Sequence, residues 1–129
     1  MSEDSFDIFV VGGGPGGYVA AIRAAQLGMK TGIVERENLG GICLNWGCIP
    51  TKTLLKSAEV FHLLQRSEEY GITAKNVELN IEKIVSRSRN VANQLSNGIK
   101  HLMKKNKITV FEGHAEIQDK NSLKIKIIN

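Results

Sequence analysis

Two features of this 129-residue sequence predict an α/β fold. A strand, a helix and a second strand follow one another within the first 35 residues, and longer helical and strand periods alternate after them. "FDIFVV" (6–11) is a short apolar run ending in glycines, the pattern of a buried parallel strand. Beyond the glycines, Tyr18, Ala21, Ile22 and Ala25 mark a helical stripe that Gly28 is suited to stop. "KTGIVE" (30–35) predicts the second strand, and a crossover of this length makes the two strands parallel. Next, Leu54, Ala58 and Phe61 are expected to share one helix face, and residues 68–80 to form a loop. Ile84, Val91, Leu95, Ile99 and Leu102 predict a long amphipathic helix over 81–105. "KITVFEGHAEI" and "SLKIKII" read as two strands about a polar turn at 119–121.

Composition sets the outer bounds. At 42% hydrophobic, the chain has enough apolar surface for a core, in one domain or part of one. Its net charge of +4 gathers largely in 83–107, where bases alternate with apolar residues at helical spacing. That is the solvated face of a helix, so no nucleic-acid partner is expected. The start, "MSEDSFDIFVVGGG", fits no signal peptide, Arg-rich leader or membrane span, and a soluble, cytoplasmic protein without a membrane partner is expected. In a reducing compartment a permanent structural disulfide is disfavoured, so Cys43 and Cys48 point to catalytic or redox use.

The glycine run "GGGPGG" satisfies G-x-G-x-x-G through Gly12, Gly14 and Gly17. The first glycine permits the tight turn, the second lets backbone approach a pyrophosphate, and the third allows close helix–strand packing. An anion would then sit at the helix N-terminus. Glycines collect in turns anyway, so the pattern alone is weak. Here a strand precedes it, a helix follows, and Glu35 ends the next strand 18 residues beyond Gly17, where a carboxylate can bind adenosine ribose hydroxyls. The spacing leaves NAD and FAD undistinguished.

"GGICLNWGCIPTK" (40–52) carries the two cysteines. Zinc needs about four ligands, and His62, His101 and His114 are scattered, so no metal is expected. Four residues between the cysteines exclude a C-x-x-C motif. In a regular helix their Cα atoms would be roughly 8–9 Å apart, whereas a disulfide needs about 4.4–6.8 Å. A bond between them therefore requires irregular backbone, which Gly47 and Pro50 suit. Pro50 disfavours helix at Ile49 yet fits the opening turn of a helix. Cys48 near that helix N-terminus, with Lys52 four residues on, would favour a thiolate.

Together these residues resemble the flavoprotein disulfide reductases, the class I pyridine nucleotide-disulfide oxidoreductases. The family pattern GG-x-C-x-N-x-G-C-x-P-x-K matches at every fixed position, and the resemblance covers essentially the whole chain. Leu44, "CIP" and "LLKSAEV" are most similar to the dihydrolipoamide-oxidising branch; relatives acting on glutathione or mercury more often carry Val at 44. Thr51, where Ser is commoner, and Ala115, where Gly is common, are the departures.

The resemblance implies a Rossmann-like FAD-binding βαβ unit with long helices and a C-terminal β-hairpin, an incomplete FAD/NAD(P)-binding domain. It implies that Cys43 and Cys48 form a redox disulfide passing electrons from dihydrolipoamide through FAD to NAD. Cys43 would attack substrate, Cys48 would face the flavin, and Lys52 would stabilise thiolate and reduced flavin. Gly12, Gly14, Pro15, Gly16 and Gly17 would carry the pyrophosphate, with Gly40 and Gly41 passing close to it. Glu35, Arg36, Ile42, Gly47, His114 and Ala115 complete the implied FAD contacts.

Residues 1–129 are accordingly expected to be the first segment of an FAD domain, with the NAD and dimerisation domains absent from this chain and the terminal strand looking like an interrupted fold. The family's catalytic base, a His paired with Glu and given by the partner subunit, matches none of the three histidines. The implied partners are a second copy in a homodimer and the lipoyl domains of 2-oxo acid dehydrogenase acyltransferases, with a role in cell redox homeostasis. The chain alone is expected to be inactive. Another flavin disulfide reductase, or a non-catalytic flavin-binding fragment, remains as an alternative.

Overall fold

The structure is a computed structural model that describes residues 4–128; expectations about the chain's two ends, at Met1 and Asn129, lie outside them. Its elements are β1 (Ile8–Val11), α1 (Pro15–Gln26), β2 (Thr31–Glu35), α2 (Gly41–Asn45), α3 (Cys48–Gln65), a 3-10 turn (Ser67–Tyr70), α4 (Ile81–Lys105), β3 (Thr109–Ile117) and β4 (Leu123–Ile127). One sheet holds all four strands in the order β1-β2-β3-β4. β1, β2 and β3 run parallel, and β4 folds back antiparallel on β3 as the expected hairpin. Ser122 and the Asn121 amide both donate to Asp119 at its turn and hold that carboxyl below the usual carboxylate range.

The expected βαβ unit is present. Register aligns Val10, Ile33 and Val110 across three strands, and that face meets α1 and α4. Ile33 and Ala21, both 0% exposed, centre a core completed by Leu39, Leu44, Ile99, Met103 and Ile108. Burying an isoleucine fully stabilises by about 1.5–3 kcal/mol. The α1 stripe lies against this core as predicted, and the helix ends at Gln26 with Gly28 following at φ +87°. On the opposite sheet face, Phe6, Phe9 and Phe111 pack with ring centroids 5.2–5.9 Å apart, and Phe9 fills the space over Gly32. Phe6 thus serves packing and not pairing, and the strand begins at Ile8.

The long helix has its predicted bounds. Asn80 caps it by accepting from the Lys83 amide at 2.9 Å, and Glu82 and Lys104 sit at the dipole ends that favour them. Its buried stripe differs from the expected one: it runs through Ser88, Ala92, Ser96, Ile99 and Met103, while Ile84, Val91 and Leu102 are half-buried and Leu95 is 42% exposed. Small residues let α2 and α3 approach, and the Ser88 and Ser96 hydroxyls bond to the Val85 and Leu39 carbonyls.

The same cause corrects α3. Pro50, Thr53, Ser57 and Phe61 turn inward in place of the expected Leu54 and Ala58; Leu54 is 41% exposed. Thr53 and Ser57 donate to carbonyls one turn back in their own helix, so their hydroxyls are satisfied when buried. Ile49 is helical despite preceding proline, because Pro50 falls in the first turn, where its missing amide has no helical partner to lose. The predicted loop at 68–80 starts later, since Ser67–Tyr70 closes a 3-10 turn held by an Arg66–Glu69 pair.

Gly17 faces the Gly12 carbonyl so closely that an added Cβ would collide with it, whereas one at Gly16 meets nothing within 4 Å. Gly17→Ala should therefore lower unfolding free energy by about 1–3 kcal/mol through overpacking. Gly16→Ala, in the same helix, should leave it unchanged or raise it by up to about 1 kcal/mol. Urea midpoints of the two variants check the contrast.

Candidate functional site

The site grows from the turn after β1. Gly12 remains tied to β2 through its amide, 2.8 Å from the Val34 carbonyl. The next residue, Gly13, joins three segments: its amide donates to Glu35 Oε2 at 2.6 Å, and its carbonyl accepts from the Gly40 amide at 2.8 Å. Glu35 Oε1 also accepts from the Glu37 amide at 2.8 Å. A Cβ on Gly13 would meet Leu39 at 2.7 Å and Glu35 at 3.1 Å, so the position admits no side chain without displacement. The G-x-G-x-x-G pattern leaves Gly13 as a variable position; the unbroken glycine run is its signal in the sequence.

Gly14 caps α1 with no side-chain partner and no acidic residue in the first turn. The opening amides of the helix, on Gly16 and Gly17, lack intrahelical acceptors, and the dipole makes this end positive. An added Cβ at Gly14 would meet nothing within 4 Å, so its backbone is open to approach.

Gly40 and Gly41 then carry the chain across this turn. Their φ angles, +99° and +62°, lie in the left-handed region that glycine adopts without penalty. A Cβ on Gly41 would stand 2.8 Å from Gly14 Cα, so the second loop rests on the first, backbone to backbone.

That seat places the cysteines. Cys43 lies in α2, the helix breaks at Trp46 and Gly47, and Cys48 opens α3. The break shortens the Cα separation to 4.7 Å, and the two sulfurs are joined as a disulfide. The irregular backbone expected from spacing is thus a corner between two helices. Gly47 makes it tight: a Cβ there would be 3.0 Å from the Ile42 carbonyl and 3.2 Å from Cys43 Cα. Cys43 is half-buried, Cys48 is exposed at the N-terminus of α3, and Lys52 is exposed one turn further on.

Between the strand ends and α2 lies a cavity of about 380 Å³. Of the expected residues, Gly12, Glu35, Arg36, Gly41, Ile42, His114 and Ala115 line it; Val34, Asn38, Trp46 and Gly113 do so unforeseen. Gly14, Pro15, Gly16 and Gly17 form the neighbouring helix end; Cys43 follows the lining residue Ile42, and Gly47, Cys48 and Lys52 follow the lining residue Trp46. Glu35 spends two of about four acceptor positions on the loop and keeps others for a ligand hydroxyl. The donor set fits a ligand with a sugar diol at Glu35 and an anion at the start of α1. Among the described residues no cluster of His, Cys, Asp or Glu suits a metal ion, and no helix is long and apolar enough to cross a membrane.

Glu35→Ala deprives the Gly13 and Glu37 amides of their acceptor together. Charge-assisted bonds contribute about 1.5–3 kcal/mol, so both amides should exchange with solvent at least tenfold faster while the β1 and β2 ladder amides keep their protection. Residue-resolved hydrogen exchange checks this.

The family of pyridine nucleotide-disulphide oxidoreductases matches residues 6–127. A dihydrolipoyl dehydrogenase of Zymomonas mobilis is 58% identical over 114 residues, which is 88% of this chain and 24% of that protein. The Bacillus subtilis protein of the same name is 52% identical over 87% of this chain and 24% of its own length. That of Acholeplasma laidlawii is 52% identical over 95% of this chain and 37% of its own. The chain thus spans between 24% and 37% of the length of these relatives. With the glycine loop, the helix corner and the disulfide in the expected arrangement, this chain belongs to the pyridine nucleotide-disulphide oxidoreductase family.

Proposed function

We infer that this chain is the first segment of the FAD-binding domain of a dihydrolipoyl dehydrogenase, and that Cys43 and Cys48 are its redox pair. The observation that carries the reading is the disulfide closed across a helix corner beside the cavity lined by Gly12 and Glu35. The relatives' names supply the substrate. FAD would be held by the glycine loop, the start of α1, Glu35 and the cavity wall with Arg36, Ile42, His114 and Ala115. Bound there, it would carry the electron pair from the cysteines onward to NAD, whose site belongs to sequence outside this segment.

The chain's own part is thiol–disulfide exchange. A thiolate of dihydrolipoamide attacks Cys43 Sγ, the Cys43–Cys48 bond breaks, and Cys48 leaves as thiolate. The second substrate thiolate then attacks the mixed disulfide, closing lipoamide and releasing Cys43. The substrate loses two electrons and two protons: the cysteine pair gains the electrons, Cys43 takes one proton on release, and a base takes the other. The α3 N-terminus favours charge on Cys48, and the Lys52 ammonium adds to it. The resemblance to the family assigns the proton acceptor to a His–Glu pair of a second subunit; in this chain His62 and His101 are exposed on α3 and α4 and His114 lines the cavity. A homodimer serving lipoyl domains of a 2-oxo acid dehydrogenase complex, in a bacterial cytoplasm, is the setting we assign. The bacterial relatives support the bacterial part of it; the dimer and its lipoyl partners follow from the family resemblance.

In the full-length protein, Cys43→Ser and Cys48→Ser should each abolish lipoamide turnover with FAD retained. Only Cys43→Ser should show a long-wavelength thiolate–flavin absorption band; the reverse would exchange the roles of the two sulfurs. Turnover of glutathione disulfide in place of lipoamide would favour another reductase, and bound flavin without any disulfide turnover a binding fragment.

The same protein tests the cofactor site. Glu35→Gln should weaken FAD binding by one to two decades, about 1.5–3 kcal/mol, with an unchanged thiol count. Flavin released on gel filtration measures it.

A further inference from the structure

Three side chains of α4 donate to carbonyls placed before, between and after the cysteines. Ser96 Oγ donates to the Leu39 carbonyl at 3.1 Å. Arg89 Nη1 donates to the Asn45 carbonyl at 3.2 Å, at the C-terminal end of α2. Arg87 Nη1 donates to the Thr53 carbonyl at 3.3 Å, in α3. The two arginines flank Ser88, which is 2% exposed at the helix contact, so one reaches α2 and the other α3. Asn45 adds an internal tie, donating from Nδ2 to the Leu39 and Gly41 carbonyls at 3.1 and 3.0 Å.

We propose that Ser96, Arg89 and Arg87 are positioning residues for the cysteine pair, bracing α2 and α3 so that the two sulfurs stay adjacent after the bond between them opens. The argument is one of linkage. In the oxidised chain the disulfide itself holds the corner at Trp46 and Gly47. In the dithiol that covalent tie is gone, and the arrangement of the two helices depends more on packing and on the bonds from α4. A brace that keeps the dithiol in the disulfide's geometry leaves less entropy to lose on closure. It therefore shifts the equilibrium toward the disulfide and makes the pair a stronger reductant.

Charge gives the opposite sign, which makes the idea separable. A guanidinium near the pair favours thiolates, so losing it on electrostatic grounds alone would shift the equilibrium toward the disulfide. Loss of the brace shifts it toward the dithiol. Ser96 carries no charge and reports the brace alone.

The inference rests on the reading of Cys43 and Cys48 as a redox pair. The test equilibrates full-length protein with mixtures of oxidised and reduced dithiothreitol, traps thiols by alkylation and counts them by mass. Dithiothreitol supplies two electrons and two protons and becomes its cyclic disulfide as the cysteine pair becomes two thiols. Ser96→Ala and Arg89→Gln should each move the equilibrium toward the dithiol by threefold to tenfold, the latter about 30 mV for a two-electron couple. A merely structural role would destabilise both redox states alike and leave the equilibrium in place. Arg89 is exposed, so Arg89→Gln reports even if Ser96→Ala folds poorly. If Arg89→Gln in about 1 M salt, which screens the lost charge, or a folded Ser96→Ala, stays within twofold of the parent or shifts toward the disulfide, the brace is refuted. A parent protein whose cysteines resist dithiothreitol in the folded state overturns the redox reading, and the brace with it.

Discussion

Backbone must touch backbone where Gly41 rests on Gly14 and the Gly40 amide bonds to the Gly13 carbonyl. No side chain fits into that contact. Because it fixes the start of α2 against the start of α1, it also fixes how far the cysteines stand from the glycine loop. A cofactor spanning both would need that distance held to a fraction of an ångström. Hydrogen bonds between main-chain groups hold it better than long side chains, which have rotamers to lose.

Glu35 extends the constraint to the sheet. A carboxylate at the end of β2 accepts from the turn after β1 and from the Glu37 amide two residues on, so the parallel ladder and the loop become one unit. Such an arrangement is preorganised: the start of α1 carries no side-chain cap, and Glu35, already bonded to the loop, lines the cavity. The disulfide follows the same logic from the other side. A corner between α2 and α3 brings together residues that one continuous helix would hold apart, and α4 supports both arms of it.

Several elements were legible in the sequence for plain physical reasons. The first strand and helix carry strong periods with glycine at each boundary, and both formed within two residues of expectation. The long helix kept its bounds because Asn80 offers a cap and a basic tail follows. The faces of the later helices were not legible. An apolar stripe assigns Leu54 and Leu95 to the interior, but α3 and α4 approach through Thr53, Ser57, Ser88 and Ser96, whose hydroxyls bond to nearby carbonyls. A polar residue that satisfies itself within the backbone packs like a small apolar one, and hydropathy cannot register that.

By itself the sequence determined the chemistry: two cysteines at a spacing that excludes a regular helix, a glycine run at a strand–helix junction, and a carboxylate at the next strand end. These are local properties, set by steric limits on a few consecutive residues. Only the tertiary structure decided what the pieces touch. It made Gly13 a junction, laid Gly41 on Gly14, and set Arg87, Arg89 and Ser96 around the cysteine corner from more than thirty residues away. Those contacts depend on how the α3–α4 pair seats on the sheet, and that seating arises from burial summed over the whole chain, which no short stretch of it encodes.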